Sequence, residues 1–123
     1  MILVDTSIWI DHLRSGNPAL ATLLESNAVA CHDFVIGELA CGSLRNRAEV
    51  LALLKSLPRL TTATEDEALF FIERQRLFAR GIGYIETHLL AATVMHGARL
   101  WTRDKRLKAI ADKNGWAHEA GRQ

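Results

Sequence analysis

Short apolar runs alternate with helix-like segments along the whole chain, and this alternation is the strongest constraint on its fold. Apolar runs at 2–5, 28–31 and 98–102 predict strands, with weaker candidates at 59–62 and 116–118. Strands that are separated by helices need crossover connections, which favour a parallel sheet covered by helices on both faces. We therefore expect an α/β fold, an α/β/α sandwich around a parallel sheet of four to five short strands.

Capping signals predict where the helices begin. Thr64 and Glu67 have the spacing of a capping box, which starts a long helix that we expect to reach about Arg80. Asn46 has the side chain of an N-cap and precedes a helical period over 47–57. The other predicted helices run from a cap at Thr6 or Ser7 to about Arg14, onward from Asn17-Pro18, and over 33–42, 84–96 and 104–113.

Composition agrees with a single globular domain over 1–123. Hydrophobic residues make up 49% of the chain and charged residues 24%, which is ordinary globular usage. No apolar stretch approaches the roughly 20 residues of a membrane span. The N-terminal apolar run lacks a preceding basic region and is broken at Asp5, so we do not read it as a signal peptide. Cys31 and Cys41 form no CxxC pair, and we expect two small core thiols in a reducing, cytoplasmic setting.

Charge is nearly balanced overall but unevenly distributed. The net charge is +1, which is not the overall basic excess typical of nucleic-acid binders. Residues 1–43 carry one basic and five acidic side chains, whereas residues 44–123 carry fourteen basic and nine acidic ones. This asymmetry is compatible with an acidic pocket beside a basic surface. The basic segment 99–113 either contacts phosphate near such a pocket or forms a solvated helix face.

Three acidic residues stand out because their sequence neighbours are apolar. Asp5 ends the first predicted strand, while Glu38 and Glu86 have mainly apolar residues or glycine three and four positions away on their helices. Asp104 follows the strand predicted over 98–102. Taken singly, each acid can be partly buried or cap a helix. Taken together, the simplest account is one shared pocket, since the carboxyl ends of parallel strands meet at one edge of a sheet.

Converging carboxylates indicate a hard divalent cation. They repel one another unless a cation lies between them, and Mg²⁺ or Mn²⁺ suits an all-oxygen ligand set. The chain has no Cys/His pattern typical of zinc sites. Metal-dependent nucleases typically use a divalent cation to activate water and to neutralise phosphate charge.

Four motifs, in order along essentially the whole chain, resemble PIN-domain proteins and more closely the VapC toxins of bacterial toxin–antitoxin modules. The motifs are ILVDTS at 2–7, Glu38-Leu39 with Gly42 behind them, GIGYIETHLLAA at 81–92 and LWTRDKRL at 100–107. The resemblance implies an α/β/α endoribonuclease that needs Mg²⁺ or Mn²⁺ and cleaves RNA phosphodiester bonds with a metal-activated water. It also implies a VapB-like antitoxin, a homodimer and a location in the bacterial cytoplasm.

The same resemblance assigns residues to the site. It implies that Asp5, Glu38, Glu86 and Asp104 form the acidic metal pocket, and it places the hydroxyls of Thr6 and Thr102 beside that pocket. One position departs from the family, because the third acid is normally aspartate and here is Glu86. Glutamate keeps the charge but carries it one methylene further from the backbone, which a geometrically demanding Mg²⁺ site tolerates poorly.

Two alternatives to an active ribonuclease remain open at the level of sequence. The first is a PIN-like module that binds RNA or protein and whose catalysis is weakened by Glu86. The second is a phosphotransferase or phosphatase with Asp5 as its nucleophile. Many such enzymes carry a second aspartate two residues later, where this chain has Ser7.

Overall fold

A parallel three-stranded sheet forms the centre of the molecule. The structure is a computed structural model that describes residues 1–119. Strand β1 (Ile2–Val4) lies between β2 (Val29–Ala30) and β3 (Arg99–Trp101), and both pairings are parallel. The expected α/β fold with a parallel sheet is confirmed.

Seven helices surround or flank this sheet in the described part of the chain. Apolar residues of β1 and of the helices form one continuous core, in which Trp9 is fully buried. None of these helices is both long and apolar enough to cross a membrane. The helices are α1 (Thr6–Ser15), α2 (Pro18–Glu25), α3 (Asp33–Ala40), α4 (Arg47–Ser56), α5 (Glu65–Gln75), α6 (Tyr84–Met95) and α7 (Lys105–Asn114).

The two weak strand candidates form only single bridges. Cys31 pairs with Arg59 and Leu100 with Ala117, both in parallel. Pro58 precedes the first bridge and has no N–H for a ladder bond, and the second follows a left-handed turn at Gly115. The described sheet therefore has three strands with two single-bridge extensions, rather than four to five full strands.

Three predictions about helix ends are wrong in whole or in part. The capping box of Thr64 and Glu67 is present, but α5 ends at Gln75 because Arg76 adopts the left-handed conformation, with φ of 54°. Asn46 occupies the N-cap position of α4 as predicted, but its backbone is left-handed and its side chain makes no capping bond. The N-cap position of α1 is Asp5 rather than Thr6 or Ser7, and its side chain makes no capping bond there.

The two cysteines differ in environment, contrary to expectation. Cys31 is fully buried, and this burial raises the pKa of its thiol to about 11. Cys41 is exposed at the end of α3. The prediction of two core thiols is thus right for Cys31 and wrong for Cys41, because the chain leaves the core as α3 ends.

Candidate active site

Asp5 lies at the carboxyl end of β1, directly after the buried residues Leu3 and Val4. Its backbone N–H donates to the carbonyl of Trp101 at 2.9 Å, so the pairing of β1 with β3 fixes where its side chain begins. Only 8% of Asp5 is exposed. An ionised carboxylate in such a place is costly without hydrogen-bond donors or a cation.

Two hydroxyl groups hold one oxygen of Asp5. Ser7 Oγ donates to Asp5 Oδ2 at 2.8 Å, and Thr102 Oγ1 donates to the same oxygen at 2.6 Å. Thr102, which the resemblance places beside the acidic pocket, is in direct contact with Asp5. Ser7 was not predicted as a site residue. The signal for it was a hydroxyl two residues after a strand-ending aspartate, a common local hydrogen-bonding arrangement.

Asp104 belongs to the same hydrogen-bonded group through Thr102. Its backbone N–H donates to Thr102 Oγ1 at 3.0 Å, and its carboxylate caps α7 by accepting from the amides of Arg106 and Leu107, each at 3.0 Å. Thr102 therefore donates to Asp5 and accepts from Asp104. The capping leaves Asp104 Oδ2 without a hydrogen bond in the described residues.

Glu38 comes to this region from α3. Its Oε1 accepts a hydrogen bond of 2.7 Å from Thr6 Oγ1, and the contact is partly buried. Thr6 follows Asp5 directly in the chain, so the start of α1 joins the two carboxylates through neighbouring residues. Thr6, which the resemblance also places beside the acidic pocket, is therefore in direct contact with Glu38.

The Glu86 carboxylate is hydrogen-bonded to the start of its own helix. Its Oε1 accepts from the backbone N–H of Gly83 at 2.8 Å, which closes a capping box at the start of α6. Within residues 1–119 no three Asp, Glu, His or Cys side chains lie together as a metal-holding group. The structure thus links Asp5 to Asp104 and Thr6 to Glu38 by hydrogen bonds, whereas it gives Glu86 a bond only to its own helix start.

An open cleft of about 400 Å³ lies beside Glu38. The exposed ring of Tyr84 packs edge-on against His88, with ring centroids 4.6 Å apart. Glu38 therefore faces a space that a substrate can enter. The cleft is lined by Asp33, Phe34, Gly37, Glu38, Cys41, Tyr84 and Ile85.

Two buried histidines lie behind this cleft. His32 Nδ1 accepts from the backbone N–H of Phe34 at 3.0 Å and so caps α3. Phe34 packs edge-on against both His32 and His88. Burial lowers the pKa of His32 to about 4 and also lowers the pKa of His88. The interface between α3 and α6 therefore favours neutral imidazoles.

The basic segment 99–113 is exposed, and several of its side chains are already engaged. Arg103 forms a 3.0 Å ion pair with Asp11, and Lys108 pairs with Asp112 at 2.6 Å. Asp11 lies on α1, so the pair with Arg103 joins parts of the chain that are distant in sequence. Two of the six basic side chains in this segment are therefore paired with acidic side chains. These contacts do not indicate that either one binds phosphate.

Sequence relatives agree on the family. A family model described as PIN domain matches residues 2–113. Ribonuclease VapC32 of Mycobacterium tuberculosis is 48% identical over 118 residues, which cover 95% of either chain. Ribonuclease VapC19 of the same organism is 32% identical over 114 residues, covering 86% of this chain and 90% of the relative.

A solved structure supports the fold independently. The crystal structure of PAE2754 from Pyrobaculum aerophilum superimposes with a TM-score of 0.66, covering 95% of this chain and 87% of that one. At 18% sequence identity the likeness concerns the fold alone. With the family match over nearly the whole length and two VapC relatives, the chain belongs to the PIN-domain family and, within it, to the VapC group.

Proposed function

We propose that this protein is a divalent-metal-dependent endoribonuclease, the toxin of a type II toxin–antitoxin module. The observation that carries the proposal is the hydrogen-bonded group at the carboxyl end of the sheet, in which Thr102 joins Asp5 to Asp104. Glu38 reaches the same region through Thr6. Both VapC relatives are named as ribonucleases, which supports RNA as the substrate.

The donor chemistry of these residues fits Mg²⁺ or Mn²⁺. In Asp5, Glu38 and Asp104 one carboxylate oxygen takes a protein hydrogen bond, while the other has none within the described residues. Such oxygens are the ligands that hard cations take. Asp5, Glu38 and Asp104 would hold the ion, with Glu86 as the fourth carboxylate. Once bound, the ion would supply activation of water and neutralisation of phosphate charge.

The protein's own groups have separable tasks in this proposal. The hydroxyls of Ser7 and Thr102 fix the orientation of the Asp5 carboxylate, and such outer contacts typically matter almost as much as the ligands themselves. Thr6 does the same for Glu38. The cleft beside Glu38 admits the RNA, with the exposed ring of Tyr84 as a surface on which a base can stack.

Partners follow from the VapC relationship. We propose that a VapB-like antitoxin binds this chain and blocks the acidic site, and that the toxin itself forms a homodimer. Co-expression with a VapB-like antitoxin should yield a stable complex that does not cleave RNA. Release of the antitoxin should restore cleavage.

Metal removal tests the proposed activity. Purified protein is expected to cleave single-stranded or loop RNA with added Mg²⁺ or Mn²⁺ and to lose this activity in excess chelator. Cleavage that persists in chelator would overturn the metal mechanism. Metal binding without cleavage of any RNA would instead favour the alternative of a catalytically weakened binding module.

A further inference from the structure

The first turn of α7 carries an arginine whose side chain reaches the loop before α6. A Cβ on residue 81 would lie 2.6 Å from Nη1 and 2.8 Å from Cδ of Arg106, so the end of this side chain lies directly over the Gly81 backbone. Gly81 has φ of +80°, a conformation that itself favours glycine. The missing side chain at residue 81 leaves the space that Arg106 occupies.

This contact places the arginine between two of the candidate ligands. The backbone N–H of Arg106 donates to Asp104 Oδ1 at 3.0 Å. Its guanidinium lies over Gly81, two residues before Gly83, and the N–H of Gly83 donates to Glu86 Oε1 at 2.8 Å. The side chain of Arg106 therefore extends from the residue that caps α7 to the loop that holds the Glu86 carboxylate.

The guanidinium has no protein partner despite these acidic neighbours. In the described part of the chain, the exposed side chain of Arg106 forms neither an ion pair nor a hydrogen bond. The other two arginines of the segment 99–113 are engaged, because Arg103 pairs with Asp11 and Arg99 donates to the Gly115 carbonyl. The donors of Arg106 are therefore available to a ligand.

An unpaired guanidinium beside carboxylates suits an anion that has to approach them. The planar fork of arginine matches a phosphate group and can bind it through two hydrogen bonds. The charges of an RNA strand are repelled by Asp104 and Glu86 unless a positive group offsets them. A fixed arginine at this place reduces that repulsion.

The position of the guanidinium indicates which phosphate it can reach. The cleaved phosphate has to lie at the cation that the acids hold, whereas Arg106 contacts none of the acids through its side chain. We propose that Arg106 binds a phosphate adjacent to the cleaved one and so holds the RNA strand against the acidic pocket. This inference rests on the ribonuclease function proposed above.

RNA binding without metal separates this contact from catalysis. A short fluorescein-labelled single-stranded RNA of mixed sequence is titrated with protein in excess chelator, and fluorescence anisotropy gives the Kd at several salt concentrations. Arg106→Ala removes the contact, and Arg106→Lys keeps the charge without the planar fork. Arg74→Ala is the matched control, because it makes the same change on α5, a helix that contributes none of the proposed ligands.

Loss of the contact should weaken binding and reduce its salt dependence. Arg106→Ala should raise the Kd about ten-fold at low salt and reduce the slope of log affinity against log salt by about 0.7, the value for one phosphate on a single strand. Arg106→Lys should raise the Kd about three-fold and keep the slope. Arg74→Ala should stay within about two-fold of wild type, since a distant exposed charge is screened.

Cleavage kinetics provide a second measurement on the same variants. With Mg²⁺, Arg106→Ala should raise KM about ten-fold and leave kcat within about two-fold, because the adjacent phosphate is bound equally before and during the reaction. The variant should melt close to wild type, since the side chain is exposed and makes no hydrogen bond. A fall in kcat with an unchanged KM would contradict a contact that serves to bind the strand.

Gly81→Ala tests the position of the guanidinium rather than its charge. The added Cβ would displace the end of Arg106 and should raise the Kd for RNA about five-fold. In the double variant with Arg106→Ala, the Kd should equal that of Arg106→Ala alone, because no long side chain is left to displace. Strain from the left-handed backbone is present in both Gly81 variants and is followed by thermal melting.

The outcomes separate this inference from the proposed function. An unchanged Kd in Arg106→Ala, an equal loss in Arg74→Ala, or no RNA binding by the wild type in chelator would each overturn the phosphate contact. A Gly81→Ala effect that persists in full in the double variant would overturn the placement of Arg106 by this loop. RNA binding that depends on Arg106, without cleavage of any RNA in Mg²⁺ or Mn²⁺, would overturn the ribonuclease function and support the contact.

Discussion

The two ends of the candidate site are built in different ways. At the sheet edge, the Asp5 carboxylate accepts hydrogen bonds from Ser7, two positions away in the chain, and from Thr102, 97 positions away. The backbone N–H of Asp5 is bonded to β3. At the start of α6, the Glu86 carboxylate is held by one amide three residues away. Asp5 is buried, whereas the cap of α6 lies in an exposed setting.

This difference separates a fixed part of the site from an adjustable one. Moving Asp5 would require breaking contacts that join β1, β3 and the start of α1. Moving Glu86 requires breaking one exposed hydrogen bond, whose net contribution to stability is about 1 kcal/mol. We therefore expect the sheet edge to define where the cation binds and the α6 end to modulate how tightly it is held.

The largest effect is expected at the fixed end. Asp5→Asn removes the charge but keeps an oxygen that accepts from Ser7 and Thr102, so the fold should be retained. Metal-supported RNA cleavage should fall by at least about 100-fold, because the proposed central ligand is lost. Circular dichroism checks that the fold is retained, and a cleavage time course measures the loss of activity. Near-normal cleavage would show that Asp5 is not a ligand.

Thr102→Val tests whether the hydroxyl links of the sheet edge matter. The substitution keeps the shape but removes the donor to Asp5 and the acceptor for the Asp104 amide. We expect Mn²⁺ affinity to fall about 10–100-fold and the free energy of unfolding to fall by about 1–3 kcal/mol. Thr102→Ser retains the hydroxyl and should stay close to wild type in titration and denaturation. Equal affinity in valine and serine variants would contradict the proposed positioning role.

The free energy of unfolding should fall in acid because of His32, the N-cap residue of α3. The pKa of this imidazole is about 4 in the folded protein and about 6.5 when unfolded. Between these values the unfolded chain binds more protons, so stability falls as the pH is lowered. His32→Asn keeps a capping oxygen for Phe34 N and does not titrate. From pH 7 to pH 4.5, wild type should lose about 2 kcal/mol more unfolding free energy than the variant.

Urea denaturation at the two pH values measures this difference directly. The carboxylates titrate in both proteins, so their contribution largely cancels in the comparison. Parallel losses in wild type and His32→Asn would mean that His32 titrates normally in the folded state. Cleavage at pH 7 should be similar in both proteins, because His32 supplies no proposed ligand.

The smallest effect is expected at the adjustable end. Glu86→Asp should raise Mg²⁺-supported cleavage about five-fold, since the shorter side chain suits an octahedral ion better. The gain should be smaller with Mn²⁺, which is larger and tolerates a misplaced ligand more readily. Equal or lower cleavage with both metals would show that the site is built around glutamate.

The sequence alone determined the parallel α/β architecture and indicated the candidate acids. Alternating apolar runs and helical periods predicted a parallel α/β fold, and the apolar surroundings of Asp5, Glu38 and Glu86 marked them as unusual. The helix starting at Pro18 and the capping box of α5 were also predictable, because such signals lie within a few residues of one another.

Only the tertiary structure decided which groups form hydrogen bonds with these acids. The bond from Thr102 to Asp5 joins residues 97 positions apart, and no local pattern specifies such a distance. Composition and periodicity report what a residue prefers, whereas hydrogen bonds across a fold depend on strand register and on which backbone groups are left without partners.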